Sequence, residues 1–202
     1  MRLEAAGICV ERGGRTVLKD LSFVVESGQA LVVTGRNGAG KSTLLRALAG
    51  LLPLSAGLAS LIPAGEETLA EQAHYVGHAD ALKAALSARE NLEFFAAMLD
   101  AGQGGANPCE ALEAFGLPHV ADLPASYLSA GQKRRVALAR LLVARRPLWL
   151  LDEPTTALDA ASQRVVGELA RRHLSDGGLI VASTHSALDI PARELPLGAA
   201  AR

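Results

Sequence analysis

Aromatic side chains are scarce in this chain of 202 residues: one Trp, two Tyr and four Phe, 3% of the total. Half of the residues are hydrophobic all the same, so alanine, leucine and valine must build the core. The length suffices for one domain with room for a subdomain. Cysteine is nearly absent too. Cys9 and Cys109 lie far apart in sequence and form no C-x-x-C pair; that is the pattern of two ordinary thiols in a reducing compartment, not of a disulfide framework. Neither sign of charge is in excess. Twenty Lys and Arg stand against 21 Asp and Glu, a formal net charge of −1, and this balance argues against nucleic acid or an anionic membrane surface as a partner. A membrane-spanning run is lacking as well. From Ala47 to Gly65 no residue is charged, which is near the length of a spanning helix. Gly50, Pro53, Gly57, Pro63 and Gly65 interrupt it, so any link to a membrane is expected to come through a partner. The start Met1-Arg2-Leu3-Glu4 is not read as a signal peptide, because acid comes early and no apolar region follows.

What the chain does have is Gly35-Arg36-Asn37-Gly38-Ala39-Gly40-Lys41-Ser42-Thr43, a match to the phosphate-binding loop G-x-x-x-x-G-K-[ST]. Its flanks make the match specific. Ala30 to Thr34 is a short apolar run rich in β-branched residues, hence a buried strand, and leucines at helical spacing follow from Ser42 to Ala49. Glycines let backbone N–H groups turn inward around a polyphosphate, and the helix N-terminus adds partial positive charge. Lys41 is placed to reach the outer phosphates, and Ser42 to put its hydroxyl on Mg²⁺. An ordinary Gly-rich strand-to-helix turn would not demand the Lys-Ser pair.

Taken in order, Leu3 to Val10 reads as a strand, Glu11 to Arg15 as a turn, and Val17 to Val25 as an antiparallel strand with alternating apolar character. After Leu52-Pro53 the chain reads as turn-rich as far as Pro63. Glu71 to Val76 reads as a strand ending at Gly77-His78. Ser87 stands three residues before Glu90, a capping-box spacing, and predicts a helix through Leu92, Phe95 and Leu99. Cys109 to Phe115 reads as a short helix. A helical insert over roughly 79–145 is thus expected between two parts of an α/β core.

A second decisive stretch lies inside that insert. Leu128-Ser129-Ala130-Gly131-Gln132 opens a helix through Val136, Ala139, Leu142 and Val143. Ser129 sits where an N-cap belongs, which alone is unremarkable. Gly131-Gln132 after it points to a second phosphate-binding helix start. Leu148 to Leu151 is wholly apolar, a strand covered on both faces, and Asp152-Glu153-Pro154 ends it. An acid at the C-terminal end of such a strand is placed to hold Mg²⁺. Glu153 is placed to orient an attacking water or accept its proton. As a helix N-cap, Asp152 would not need four apolar residues before it. A helix follows from about Ala160 to His173, then a last core strand, Leu179 to Ser183. His185, just past its end, is read as a γ-phosphate contact rather than a solvated loop residue. The tail from Ala187 on is read as only partly ordered. Alternating strands and helices imply a mainly parallel sheet with an N-terminal antiparallel portion.

On these residues the chain resembles the ATP-binding subunit of an ABC transporter over nearly its whole length. The stretch 128–132 is a variant of the family's signature motif, 148–153 resembles its Walker B strand with the catalytic Glu153, Ala157-Leu158-Asp159 its D-loop, and His185 its switch histidine. The resemblance implies an α/β P-loop NTPase fold in a single ABC ATPase domain over 1–202. It implies ATP and Mg²⁺ as ligands, and a head-to-tail dimer in which Ser129, Ala130, Gly131, Gln132 and Asp159 of one copy face the nucleotide on the phosphate loop of the other. Three positions depart from the family. Arg12 stands where an aromatic residue usually stacks on adenine, His78 where the Q-loop glutamine usually contacts water and metal, and Ala130 where a glycine is usual. The short chain, Gly77-His78 and Leu128 to Arg135 look most like the haem-exporter ATPases of cytochrome c maturation. That resemblance implies membrane-spanning subunits of the maturation system as partners, at the cytoplasmic face of an inner membrane, and no nucleic acid. Cys109 and the five histidines show no haem-attachment motif, so haem itself is not expected on this chain. An exporter of another substrate, a soluble ABC-type ATPase and a small-molecule kinase are the alternatives. The Asp152-Glu153 pair and the 128–132 stretch speak against the kinase, and the lack of paired domains speaks against the soluble ATPase.

Overall fold

Alternating apolar residues and short, wholly apolar runs go into different sheets. The computed structural model describes residues 1–63, 65–99, 104–184 and 188–198. β1 (Arg2–Arg12) and β2 (Arg15–Glu26) form an antiparallel hairpin, turned by Gly13 and Gly14 with φ of 56° and 73°, values that suit glycine. β3 (Ala30–Thr34) leaves this layer, and β4 (Ala56–Ile62) returns to pair antiparallel with β1. The second sheet joins β3 to β5 (Ala73–Val76), β6 (Leu148–Asp152), β7 (Leu179–Ser183) and β8 (Ala192–Pro196). Its order is β5-β6-β7-β3-β8, with every pairing parallel.

Parallel neighbours need crossovers. α1 (Lys41–Leu48) follows β3; α2 (Ala88–Met98), α3 (Pro108–Ala114) and α4 (Ala130–Val143) lie between β5 and β6; α5 (Ala160–Ser175) lies between β6 and β7. The capping box at Ser87 and Glu90 forms as the spacing predicts, and Asn107 with Glu110 makes another ahead of Pro108. The parallel strands are apolar on both faces because each face has its own core. Leu31, Val33, Leu148, Leu150, Leu179 and Val181 pack with α1 and the antiparallel sheet. Their sequence neighbours Trp149, Leu151, Ile180 and Ala182 pack on the other side with Leu92, Leu112, Leu138 and Val166 of the remaining helices. The two together amount to an α/β P-loop fold.

Two expectations need correction. The segment after Pro53 is not merely turn-rich: Ala56–Ile62 is β4, with only Leu61 buried. The tail past Ala187 is not merely loose, and Leu179 to Ser183 is not the last core strand, because β8 pairs along β3 from Ala192 to Pro196. β4 buries only Leu61 and β8 no side chain at all, so both are held by backbone ladders and neither shows the alternation that marks a strand.

Candidate nucleotide site

The C-terminal ends of the parallel strands converge. Val33, Ser183 and Asp152 lie in one register row across β3, β7 and β6, and Val76 of β5 is level with Leu151. In an open α/β sheet this edge is where ligands bind. From β3 the chain runs into the 35–43 loop. Gly40 has φ 103°, and a Cβ there would lie 2.8 Å from Leu18 Cδ2. At Gly35, φ 139°, a Cβ would lie 2.6 Å from the Leu197 carbonyl oxygen. Only glycine fits either place. Gly40 caps α1 without a side-chain hydrogen bond, and no acid stands in the first turn, so the helix N-terminus is electropositive and uncovered. Arg36, Asn37 and Gly38 are exposed and Ala39 is half-buried, its N–H donating to the Arg36 carbonyl at 3.0 Å. Thr43 is buried. The Lys41 ammonium folds over the loop, donating to the Gly35 carbonyl at 2.8 Å and the Arg36 carbonyl at 3.4 Å.

Asp152 joins three elements. Its Oδ1 accepts from Ser42 Oγ of α1 at 3.0 Å and from Ser183 Oγ of β7 at 2.5 Å. The residue is 2% exposed, and its Oδ2 is buried with no hydrogen-bond partner. A buried carboxylate oxygen left unpaired is costly unless a cation completes it. Next in the chain, Glu153 holds a left-handed backbone with φ 50°, and its N–H donates to the Ser183 carbonyl at 2.9 Å. Ala157 is left-handed as well, φ 63°.

The other expected residues fall as follows. Ser129 caps α4, accepting from the Gln132 N–H at 3.2 Å, while Gln132 Oε1 accepts from the Ser129 N–H at 2.8 Å. Gln132 is thus explained locally, as half of a capping box. Ser129 and Ala130 are exposed. A Cβ on Gly131 would come 3.2 Å from the Ala157 carbonyl oxygen, so this glycine lets α4 approach the 155–159 loop of its own chain. Asp159 caps α5, and the Ser162 N–H it accepts at 2.7 Å holds its carboxyl below the usual range. Among the described residues no hydrogen bond joins 128–132 to 35–43. Arg12 is exposed at the tip of the β1–β2 hairpin, and Val17 and Leu18 of that hairpin lie against Gly40. His78 is exposed, one residue beyond Gly77. His185 lies outside the described residues.

Two residues escaped sequence reasoning. Ser183 reads as the last residue of an apolar strand, and only its register opposite Asp152 reveals it. Arg134 stands in a run of three basic residues, the mark of a solvated face, yet it is 3% exposed.

The ABC transporter family matches residues 18–156. Cytochrome c biogenesis ATP-binding export proteins match along the whole chain: that of Nitrobacter winogradskyi is 54% identical over 202 residues, covering all of both chains, and that of Bradyrhizobium diazoefficiens 53%, again covering all of both. This chain belongs to the ABC transporter ATP-binding family, among the CcmA-type export proteins. Among solved structures, the ATP-binding subunit of an ABC transporter superposes with a TM-score of 0.79 at 28% identity, covering 92% of this chain and 80% of that one. An ABC transporter ATP-binding protein from Pyrococcus furiosus gives 0.81 at 22% identity, covering 98% of each, and speaks to the fold alone. As a CcmA-type ABC ATP-binding subunit, the chain binds ATP and is an ATPase. Among the described residues no helix is long and apolar enough to cross a membrane.

Proposed function

We propose that this CcmA-type ATPase, a single ABC ATPase domain, hydrolyses ATP to drive haem export in c-type cytochrome biogenesis, releasing haem-loaded chaperone on the far side of the membrane. The observation that carries the chemistry is Asp152, shared between Ser42 and Ser183 with its second oxygen buried and unpaired. That donor set fits Mg²⁺, which Asp152 and Ser42 would hold, with the exposed His78 nearest to the role of the usual Q-loop glutamine. When bound, the ion neutralises charge on the outer phosphates.

The chain's own groups then divide the work. Backbone N–H groups of Gly38, Gly40, Lys41, Ser42 and Thr43 hold the phosphates at the N-terminus of α1. Lys41 exchanges the carbonyls of Gly35 and Arg36 for a phosphate oxygen. Glu153 orients the attacking water and accepts its proton, and His185 contacts the γ-phosphate. Arg12 stacks on the base from the hairpin tip. Ser129 and Ala130 are exposed and unconnected by hydrogen bonds to their own phosphate loop, which fits their use, with Gly131, Gln132 and Asp159, on the nucleotide of a second copy set head to tail.

Export needs a membrane-spanning partner on the cytoplasmic side. Phe94 and Met98, one turn apart on α2, are exposed and offer apolar surface for it. The test is Glu153→Gln in cells. The variant protein should be present and folded, yet c-type cytochromes should vanish from a haem stain of membrane proteins while haem synthesis continues. Normal c-type cytochromes in that strain would remove the haem assignment and leave the ATPase untouched.

A further inference from the structure

We infer that Arg134 is a positioning residue for hydrolysis: its buried guanidinium holds the backbone on which Glu153 rides and ties it to the loop carrying His78. The inference rests on the role proposed for Glu153.

A guanidinium has five N–H donors in a fixed planar fork. Here all five have partners. Nε donates to the Pro154 carbonyl at 3.2 Å; Nη2 donates to the Asp152 carbonyl at 3.1 Å and the Glu153 carbonyl at 2.7 Å. Nη1 donates to the Gly77 carbonyl at 2.8 Å and to Asp80 Oδ1 at 3.2 Å. Three consecutive carbonyls at the end of β6 and one at the end of β5 thus converge on one side chain of α4.

The Glu153 peptide is clamped from both sides. Its N–H is held by Ser183 of β7, and its carbonyl by Arg134. A left-handed glutamate, φ 50°, persists only where its surroundings over-determine it, and this clamp does so. The same guanidinium sets Gly77, the residue before His78. It also sits in the second turn of the helix that Ser129 caps. A tilt of α4 on engaging a second copy is therefore felt at Glu153 and at His78 together. The guanidinium bonds to no residue of the 35–43 loop and meets it through Asp152, whose Oδ1 accepts from Ser42, so turnover should suffer more than ATP binding.

Lysine keeps the charge but offers three donors from one point and no fork. Purified Arg134→Lys should lose kcat by about ten- to a hundredfold, as for small misplacements of a reacting group, with a much smaller change in KM for ATP. In the Glu153→Gln background Arg134→Lys should cost a smaller factor of the residual turnover than in the wild type, because one of the two groups it positions is already disabled. Asp80→Ala, at the half-exposed rim, removes one of the five acceptors without opening the core. It should lower kcat several-fold with a smaller change in KM. Unchanged kcat in both Arg134→Lys and Asp80→Ala overturns the inference. So does an equal factor lost in the wild-type and Glu153→Gln backgrounds. Full turnover in Glu153→Gln alone overturns the role of Glu153 instead, which separates the two failures.

Discussion

Asp152 and Lys41 show how single side chains are kept ready by their neighbours. Two hydroxyls fix one carboxylate oxygen of Asp152 and leave the other buried without a hydrogen-bond partner. Lys41 rests on two loop carbonyls, which in the proposed role it would exchange for phosphate. Lys41→Ala should lower kcat by roughly 10²–10³-fold, the usual loss when one preorganised donor to developing charge is removed; near-normal turnover of the purified variant would refute the loop's role. His74 illustrates a different residue-scale effect. It is 2% exposed, its Nε2 lies 2.7 Å from the Ala144 carbonyl, and burial above all pushes its imidazole down from 6.5 to about 4. The unfolded chain therefore takes up a proton between pH 6.5 and about 4 that the folded chain refuses. The stability it guards is complete above 6.5 and lost as pH falls toward about 4, on the order of 3 kcal/mol at most. Melting temperatures over that window should fall more gently for His74→Gln than for the parent chain. Equal slopes would show that His74 does not govern acid stability.

At the scale of elements, α2 shows how a helix organises the chain ahead of it. Ser87 and Glu90 close its N-terminus, while Leu92 and Phe95 bury its apolar face. Asn91 faces the same way and is wholly buried. Its Nδ2 donates to the carbonyls of Lys83, Leu86 and Ser87, and its Oδ1 accepts from the Lys83 N–H at 2.7 Å. One amide thereby satisfies the backbone of the turn leading from the His78 loop into the helix. Leucine has the volume but no polar atoms, so Asn91→Leu should cost about 2–3 kcal/mol by leaving buried backbone groups unpaired. The reading is the denaturant midpoint at constant slope, and a midpoint within experimental scatter of the parent would mean that water replaces the amide.

For the whole molecule, the question is what one chain leaves incomplete. The start of α4 is exposed at Ser129 and Ala130 and is joined to its own phosphate loop by no hydrogen bond among the described residues. A second copy set head to tail would bring that helix N-terminus to the nucleotide. Glu153→Gln should then bind ATP and Mg²⁺ with only residual turnover and accumulate as a dimer, with the apparent mass in light scattering doubling on ATP addition. Monomer at saturating ATP, with binding verified separately, would count against a shared site. Opening and closing of such a dimer would do work through a membrane subunit. In that proposed cycle, binding would favour the closed state and hydrolysis would remove the contact that favoured it.

What the sequence determined by itself is what local chemistry dictates. A strand, three glycines and Lys41-Ser42 are legible as a phosphate loop because each residue type answers a short-range demand. The same holds for the Ser87–Glu90 box and for the wholly apolar 148–151 run before Asp152. The tertiary structure decided everything that depends on a partner distant in sequence. β4 and β8 exist through ladders with β1 and β3, and a backbone ladder leaves no mark on side-chain periodicity. Ser183 meets Asp152 only through the register of β6 and β7. Arg134, one of three adjacent basic residues, is buried because four carbonyls and Asp80 from two other segments converge on it, and without them a guanidinium would remain in water.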